Sequence, residues 1–153
     1  MTSLNKKQRG FTIVELLIVI VVIGILAALV ITTYSGIQQK GRDTERQTDI
    51  KAIHGQLEAY YAQNGHYPTL ANVNDSTFRG ANMKGLDADA LQDPKGSAQT
   101  LVATATANSY SYAVTPAGCD NGANGECTAY TLTATLEGTI DGSGTYSKTS
   151  LNN

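Results

Sequence analysis

Residues 10–31 read GFTIVELLIVIVVIGILAALVI, and this stretch decides how the chain is built. From Phe11 to Ile31 the only charged side chain is that of Glu15. As an α-helix these residues would extend about 31 Å, at about 1.5 Å per residue, which is enough to cross the hydrocarbon core of a bilayer. We therefore predict a membrane-spanning helix in this part of the chain.

The residues before the apolar stretch indicate its orientation. They include three basic side chains and no acidic one, the basic residues being Lys6, Lys7 and Arg9. Positive charge beside a membrane-spanning helix holds that flank on the cytoplasmic side. Residues 1–10 are therefore expected to be cytoplasmic, and everything after Ile31 is expected to be exported.

The residues alone leave two ordinary interpretations of the apolar stretch open. One is a permanent signal anchor, and the other is a secretory signal that is cut near residues 33–35. Both leave Glu15 unexplained, because a carboxylate at mid-membrane costs up to about 2.5–3.5 kcal/mol, and less near the helix end. An anchor or a cleaved signal gains nothing from that cost.

The junction KKQRGFTIVE, over residues 6–15, resembles the class III signal of type IV pilins and pseudopilins. That signal is a short basic leader ending in Gly, then Phe-x-x-x-Glu and a Leu/Ile/Val run. The resemblance implies that a prepilin peptidase cuts after Gly10 and methylates the new N-terminus at Phe11. It also implies that Glu15 serves subunit assembly, where its carboxylate would meet the Phe11 ammonium of a neighbouring copy. Such a pair at 4 Å would be worth about 4 kcal/mol before desolvation.

Beyond the apolar stretch the helix is predicted to continue, because no proline occurs before Pro68. Apolar side chains recur on one helical face at spacings of three and four, namely at Ile50, Ile53, Leu57 and Tyr60 or Tyr61. We expect one nearly continuous helix from about Thr12 to Ala62, ended by Asn64-Gly65 and Pro68. Residues 60–68 also resemble the Tyr-x-x-x-x-Gly-x-Tyr-Pro element that closes the long helix in pilins and major pseudopilins.

Charges of alternating sign crowd this helix between Lys40 and Lys51. The i,i+3 spacings of Arg42 with Glu45, and of Arg46 with Asp49, predict pairs along a solvated helix surface. Contacts between filament subunits are the alternative use of these charges.

Alternating polar and apolar residues predict an antiparallel sheet in the C-terminal part. Strand patterns occupy residues 101–106, 110–114 and 130–136, and a last hairpin is expected around residues 139–148. Three or four strands with one apolar face need a cover, which the apolar helix stripe supplies. The predicted fold class is α+β, with a long N-terminal helix and a sheet packed on its C-terminal half.

These patterns predict the domain organisation. The expected parts are a leader (1–10), a transmembrane or filament-core helix (11–33) and a globular head (34–153). Within the head we expect helix over 34–62, a connecting segment over 63–98 and the sheet over 99–153.

The only two cysteines, Cys119 and Cys127, enclose the turn-like residues 120–126. Two cysteines without a nearby histidine pair exclude a Cys/His zinc site, and they fit one disulfide across a small loop in an oxidising compartment. The Asp and Asn side chains of this loop would also suit calcium, but a flexible turn needs the same residues. We predict no metal and no cofactor.

No catalytic apparatus is visible in the sequence. His54 and His66 lack a nucleophile or acid at a useful spacing, and no Gly-x-Ser-x-Gly or phosphate-binding loop occurs. The formal net charge of −2 excludes a nucleic-acid binder driven by electrostatics. We therefore expect a structural protein and not an enzyme.

The pilin resemblance implies the function. The chain would be a filament subunit that is inserted in the cytoplasmic membrane, processed by prepilin peptidase and polymerised with its own copies by an assembly platform and its ATPase into an extracellular pilus. The alternative is a major pseudopilin, which builds a short periplasmic filament for type II secretion. A monomeric membrane-anchored head is the third interpretation.

Overall fold

The computed structural model of this protein describes residues 10–152, without the side chain of Thr32. The described chain divides into two units, one ending at Gln38 and the other beginning at Gln39. In chain order the elements are α1 (Ile13–Asn64), α2 (Leu70–Asn74), α3 (Ser76–Asn82), a 3₁₀ turn (Ala88–Leu91), β1 (Ser111–Thr115), β2 (Ala129–Ile140) and β3 (Ser143–Thr149). The predicted α+β class is confirmed.

The long helix α1 begins at Ile13 and ends at Asn64, close to the predicted bounds. Gly65 follows with a φ of 79°, and its N–H donates to the carbonyl of Tyr61 at 2.8 Å. This left-handed residue closes the helix, and it is the conformation for which Gly is best suited. The Asn64-Gly65 pair therefore ends the helix as its sequence indicates.

In the first unit, every described side chain from Phe11 to Gln38 is exposed. The apolar run inside α1 is long and hydrophobic enough to cross a membrane, judged by length and composition. An apolar surface of this extent marks a contact with lipid or with another protein.

In the second unit, the C-terminal part of α1 provides the cover that the sheet needs. Ile50, Ile53 and Leu57 are fully buried and belong to one core cluster with side chains of the sheet, among them Tyr112 and Leu132. Each buried aliphatic side chain of this size contributes about 1.5–3 kcal/mol. The helical stripe predicted from the sequence is therefore the helix side of the core.

The sheet is antiparallel with strand order β1-β2-β3. Successive side chains of a strand face opposite sides, so Leu132 of β2 faces the core while Thr133 faces outward. The outward face is a neutral array of hydroxyls in cross-strand pairs: Thr131 with Thr149, Thr133 with Ser147, and Thr135 with Thr145. The hydroxyls of Thr133 and Ser147 lie 3.1 Å apart.

Two strand predictions need correction. Residues 101–106 form isolated bridges and not a strand. Thr106 pairs antiparallel with Ser109 across a turn at Asn108, which has a φ of 62°, and Val102 pairs in parallel with Ser111. The expected final hairpin is larger than predicted, since β2 continues to Ile140. Asp141 and Gly142 then turn the chain with φ values of 51° and 81°. Two central residues with positive φ are typical of the tightest hairpin turns.

Candidate functional site

The predicted processing residues lie just before the first turn of α1. Gly10 and Phe11 are both exposed, Phe11 to 84%. Apart from Gly10 itself and its two chain neighbours, no heavy atom of the described chain lies within 4 Å of where a Cβ on Gly10 would be. The peptide bond between them is therefore open to an enzyme at this end of the helix. Lys6, Lys7 and Arg9 lie outside the described residues.

Glu15 takes part in a capping box with Thr12. The Thr12 backbone N–H donates to Glu15 Oε2 at 3.3 Å, and the Glu15 backbone N–H donates to Thr12 Oγ1 at 3.2 Å. The pair satisfies two N–H groups that a helix start leaves without partners. Glu15 Oε1 has no hydrogen bond within residues 10–152, so one carboxylate oxygen remains available to a second charged group.

The capping role of Glu15 was not predicted, although the sequence carries its signal. Thr12 and Glu15 form the Thr-x-x-Glu pattern directly before an apolar run, which is the signature of a capping box. Such a cap contributes about 0.5–2 kcal/mol to the helix start. A carboxylate in the first turn also interacts favourably with the helix dipole.

A buried charge network joins three distant parts of the head. Its centre is Arg46 on α1, which is 1% exposed. Arg46 Nε and Nη2 donate to the two carboxylate oxygens of Asp93 at 2.7 and 3.0 Å. Its Nη1 donates to Asp43 at 2.8 Å and to Glu137 of β2 at 3.0 Å. The network therefore ties the helix to the 93–96 turn and to the sheet.

Each charged group in the network is stabilised by its partners. The hydrogen bonds to Asp93, followed by those to Asp43 and Glu137, raise the pKa of Arg46. Burial alone would raise the pKa of Asp43, but the backbone N–H groups of Glu137 and Gly138 and the Arg46 guanidinium outweigh it and lower that pKa. Hydrogen bonds from Arg42 and then from Lys95 hold the pKa of Glu137 well below its usual range.

The network corrects the interpretation of the charges on this helix. Arg42 pairs with Glu137 through two bonds of 2.6 Å, and not with Glu45. Arg46 is buried among carboxylates and does not pair with Asp49, whose carboxylate accepts from the Tyr110 hydroxyl at 2.7 Å. The prediction that these charges lie on a solvated helix surface is therefore wrong for Asp43 and Arg46. The partners that bury Arg46, in the 93–96 turn and on β2, are too far along the chain for i,i+3 spacing to indicate them.

The N-terminal part of the chain is similar in sequence to known proteins. Residues 5–31 match the family described as the prokaryotic N-terminal methylation motif. The chain is 44% identical over 63 residues to type II secretion system core protein G of Escherichia coli K12, a match covering 41% of this chain and 43% of that protein. It is 35% identical over 68 residues to type IV major pilin protein PilA of Myxococcus xanthus, covering 44% and 31%. No solved structure matches the chain significantly.

The N-terminal part of this chain is similar to that of type IV pilins and pseudopilins. The match to core protein G of Aeromonas hydrophila, at 39% identity, covers 47% of the chain and 50% of that protein. The chain thus spans half or less of the length of these curated relatives. The matched motif includes the predicted leader charges and the residues Gly10, Phe11 and Glu15.

The head of this chain contains a disulfide between Cys119 and Cys127. Its loop is bound to the segment that follows α1. The Tyr67 N–H donates to the Cys127 carbonyl at 2.8 Å, and the Asn121 side chain donates to the Tyr67 carbonyl at 2.8 Å. The Cys127 N–H in turn donates to Asn121 Oδ1 at 2.7 Å. The disulfide loop therefore fixes the end of the long helix to the sheet.

One of the two acidic side chains in the disulfide loop, that of Asp120, is occupied by the loop itself. Asp120 accepts backbone N–H bonds from Gly122 and Asn124 at 2.9 Å, together with the Asn124 side chain at 2.7 Å. Within residues 10–152 there is no group of three His, Cys, Asp or Glu side chains placed to hold a metal ion.

A second polar cluster of the head lies around Glu58 and was not predicted. Glu58 accepts from the hydroxyls of Tyr67 at 3.0 Å and Tyr130 at 2.8 Å, and from the Leu151 N–H at 3.2 Å. His54 Nδ1 lies 2.6 Å from the same Tyr130 hydroxyl. Burial raises the pKa of Tyr130, so its hydroxyl stays protonated and serves as a donor, not as a nucleophile. This cluster links the helix, the sheet and the segment after β3.

Proposed function

We propose that this chain is a structural subunit of a type IV pilus-like filament that polymerises through the N-terminal part of α1. The observation that carries the proposal is the exposed apolar surface of that segment, with a single carboxylate near its start. Leu16 is 61% exposed and Ile31 is 69% exposed. A side chain of this kind gains about 1.5–3 kcal/mol when it is fully buried. Lipid before assembly and neighbouring helices after it are the surroundings that supply this burial.

The processing steps follow from the motif. Prepilin peptidase cuts after Gly10 at the cytoplasmic face, and Phe11 then carries a methylated ammonium. Gly10 suits this cleavage because it lets an enzyme approach the backbone without hindrance. The basic leader holds its flank inside, so the head lies outside the membrane before assembly. The expected partners are the peptidase, the assembly platform with its ATPase, and further copies of the chain.

Glu15 is the proposed assembly residue. In a staggered array of helices, its carboxylate meets the Phe11 ammonium of a neighbouring subunit. Glu15 Oε2 caps its own helix, whereas Oε1 has no hydrogen bond within the described chain. The carboxylate can therefore cap one helix and neutralise a neighbour at the same time.

Mass spectrometry of the protein from its native membrane tests the processing. A chain that begins at Phe11 and carries one additional methyl group supports the proposal. An intact Met1, or a start near Gly36, would refute the class III signal. Replacing Gly10 by a bulky residue should leave the leader attached, whereas the same replacement at the exposed Gly36 should not affect cleavage.

The major pseudopilin of a type II secretion-like system is the second candidate. It is favoured by the identity of 44% with core protein G of Escherichia coli. Electron microscopy of cells stained with an antibody to the head separates the two candidates. Micrometre-long surface filaments support the pilin, while processed protein without surface filaments, together with a loss of secreted proteins in its absence, supports the pseudopilin. We propose a non-enzymatic role in both cases.

A further inference from the structure

Two arginines of the head are buried, and they differ in how their charge is satisfied. Arg46 uses its Nε and Nη2 atoms in a two-bond contact with Asp93 and has two more carboxylates nearby. Arg79, on α3, is 8% exposed, yet no carboxylate in residues 10–152 forms an ion pair with it. A buried cation without an anion is costly, so the surroundings of Arg79 need an explanation.

Within residues 10–152, a single hydrogen bond orients the Arg79 guanidinium. Nη1 donates to the Val73 carbonyl at 2.7 Å. No buried side-chain nitrogen or oxygen of the described chain lacks a hydrogen-bond partner. Nε and Nη2 of Arg79 have no hydrogen-bond partner among residues 10–152, so neither atom is fully buried. They form the edge of the guanidinium that can donate two parallel hydrogen bonds to one anion.

Arg79 lines an open cleft of about 380 Å³ beside α3. Ser76 and Lys84 also line this cleft, and Met83 and Leu86 give it an apolar side. Both Ser76 and Lys84 are exposed, so a hydroxyl and an ammonium are available next to the guanidinium edge. The nearest acidic residues in sequence, Asp75 and Asp87, do not line the cleft; each accepts a backbone N–H of its own turn.

We infer that the cleft between Ser76, Arg79 and Lys84 binds a phosphate group, either free or as a small phosphate monoester. Two positive charges match the double negative charge of phosphate better than the single charge of a carboxylate. The tetrahedral anion has enough oxygens for the guanidinium edge, the ammonium and the hydroxyl together. The cleft also leaves room for a small substituent along its apolar side, and this inference does not depend on filament assembly.

Titration of the full chain in detergent with inorganic phosphate tests the inference. Chloride keeps the ionic strength constant, and phosphorus NMR and calorimetry report binding. We expect saturable binding of one phosphate per chain. Arg79→Lys keeps the charge but loses the paired donors, and it should weaken binding at least about tenfold. Lys84→Ala should weaken binding about two- to fivefold.

Lys40→Ala is the matched control, because Lys40 is an exposed lysine that does not line the cleft and its removal should leave the affinity unchanged. Thermal unfolding of each variant checks that the head remains folded. If Arg79→Lys unfolds the head, the test rests on the phosphate affinity of Lys84→Ala compared with that of Lys40→Ala.

Glycerol phosphate and acetate serve as competing probes. Tighter binding of glycerol phosphate than of phosphate identifies a monoester, and the reverse identifies the free ion.

Three results would overturn the inference. The first is the absence of saturable binding at millimolar phosphate. The second is an equal affinity in the wild type, Arg79→Lys and Lys84→Ala, because the cleft would then not be the site. The third is acetate binding as tight as phosphate binding, because the site would then not select a doubly charged anion.

Discussion

Replacing Glu15 by Gln removes a charge but keeps a side chain that can accept the Thr12 N–H, and this distinguishes the two roles of the carboxylate. Gln occupies the same place as Glu in a capping box, so the helix start should persist. Glu15→Ala removes both the charge and the cap. Thr12→Ala weakens the cap and leaves the charge in place. The three variants together separate capping from pairing with a neighbouring subunit.

The magnitudes predict which variants assemble. Loss of the cap costs about 0.5–2 kcal/mol, which lowers an equilibrium constant by about twofold to thirtyfold. Loss of the charge leaves the Phe11 ammonium of a neighbour buried without a partner, at about 3–5 kcal/mol per contact. That cost lowers the constant for adding a subunit by more than about a hundredfold. Glu15→Gln and Glu15→Ala should therefore abolish filaments, while Thr12→Ala should reduce them.

The yield of sheared filaments, divided by the processed protein in the membrane, measures this effect. Membrane insertion should not fall in the Glu15 variants, because both remove a charge that disfavours the bilayer. Normal filaments from Glu15→Gln, with none from Glu15→Ala, would refute charge pairing and leave capping as the role of Glu15. Accumulation of uncleaved protein would show instead that the peptidase reads this residue.

Three further predictions concern the head, expressed from residue 34 without the apolar stretch. Arg46→Ala should lower the free energy of unfolding of the head by about 3–5 kcal/mol, since the buried carboxylates lose their cation. Lys95→Ala, the control, should change it by less than about 1 kcal/mol. Thermal unfolding of the two variants measures this difference in stability. Burial raises the pKa of Asp49 to about 6, so ionisation above that pH destabilises the head. Asp49→Asn should therefore be more stable than the wild type by about 1–2 kcal/mol at pH 7, and urea titrations should show this advantage disappearing as the pH falls from about 6 to about 4. Replacing Cys119 and Cys127 by Ser should cost somewhat under about 3 kcal/mol, and an unchanged urea midpoint would contradict a stabilising disulfide.

The parts of the fold that could be predicted from sequence depend on local patterns. The apolar run, the spacing of Ile50, Ile53 and Leu57, and the Asn64-Gly65 stop are each readable within one or two helical turns. The alternating residues of β2 indicated its inward face in the same way. Each of these signals involves residues close in sequence, so no knowledge of the tertiary structure was needed.

The charge network could not be predicted in this way. Arg46 and Asp49 have the spacing of a surface pair, and only the position of Asp93 and Glu137 in the folded head shows that Arg46 is buried. The same holds for Glu58, whose donors come from Tyr67, Tyr130 and the segment after β3. The capping box of Glu15 is different, because its Thr-x-x-Glu signal is local and can be predicted from the sequence.

The hydroxyl-bearing face of the sheet has a consequence for how this protein can diverge. Substitutions at exposed positions usually change stability by less than about 0.5 kcal/mol, whereas cutting a buried leucine to alanine costs about 2–5 kcal/mol. Because the two kinds of position alternate along β2 from Tyr130 to Thr135, the outward-facing residues of that stretch can vary with little effect on folding. We expect closely related chains to differ first at Thr131, Thr133 and Thr135 and to retain Tyr130 and Leu132, so that one surface changes its chemistry over an unchanged core.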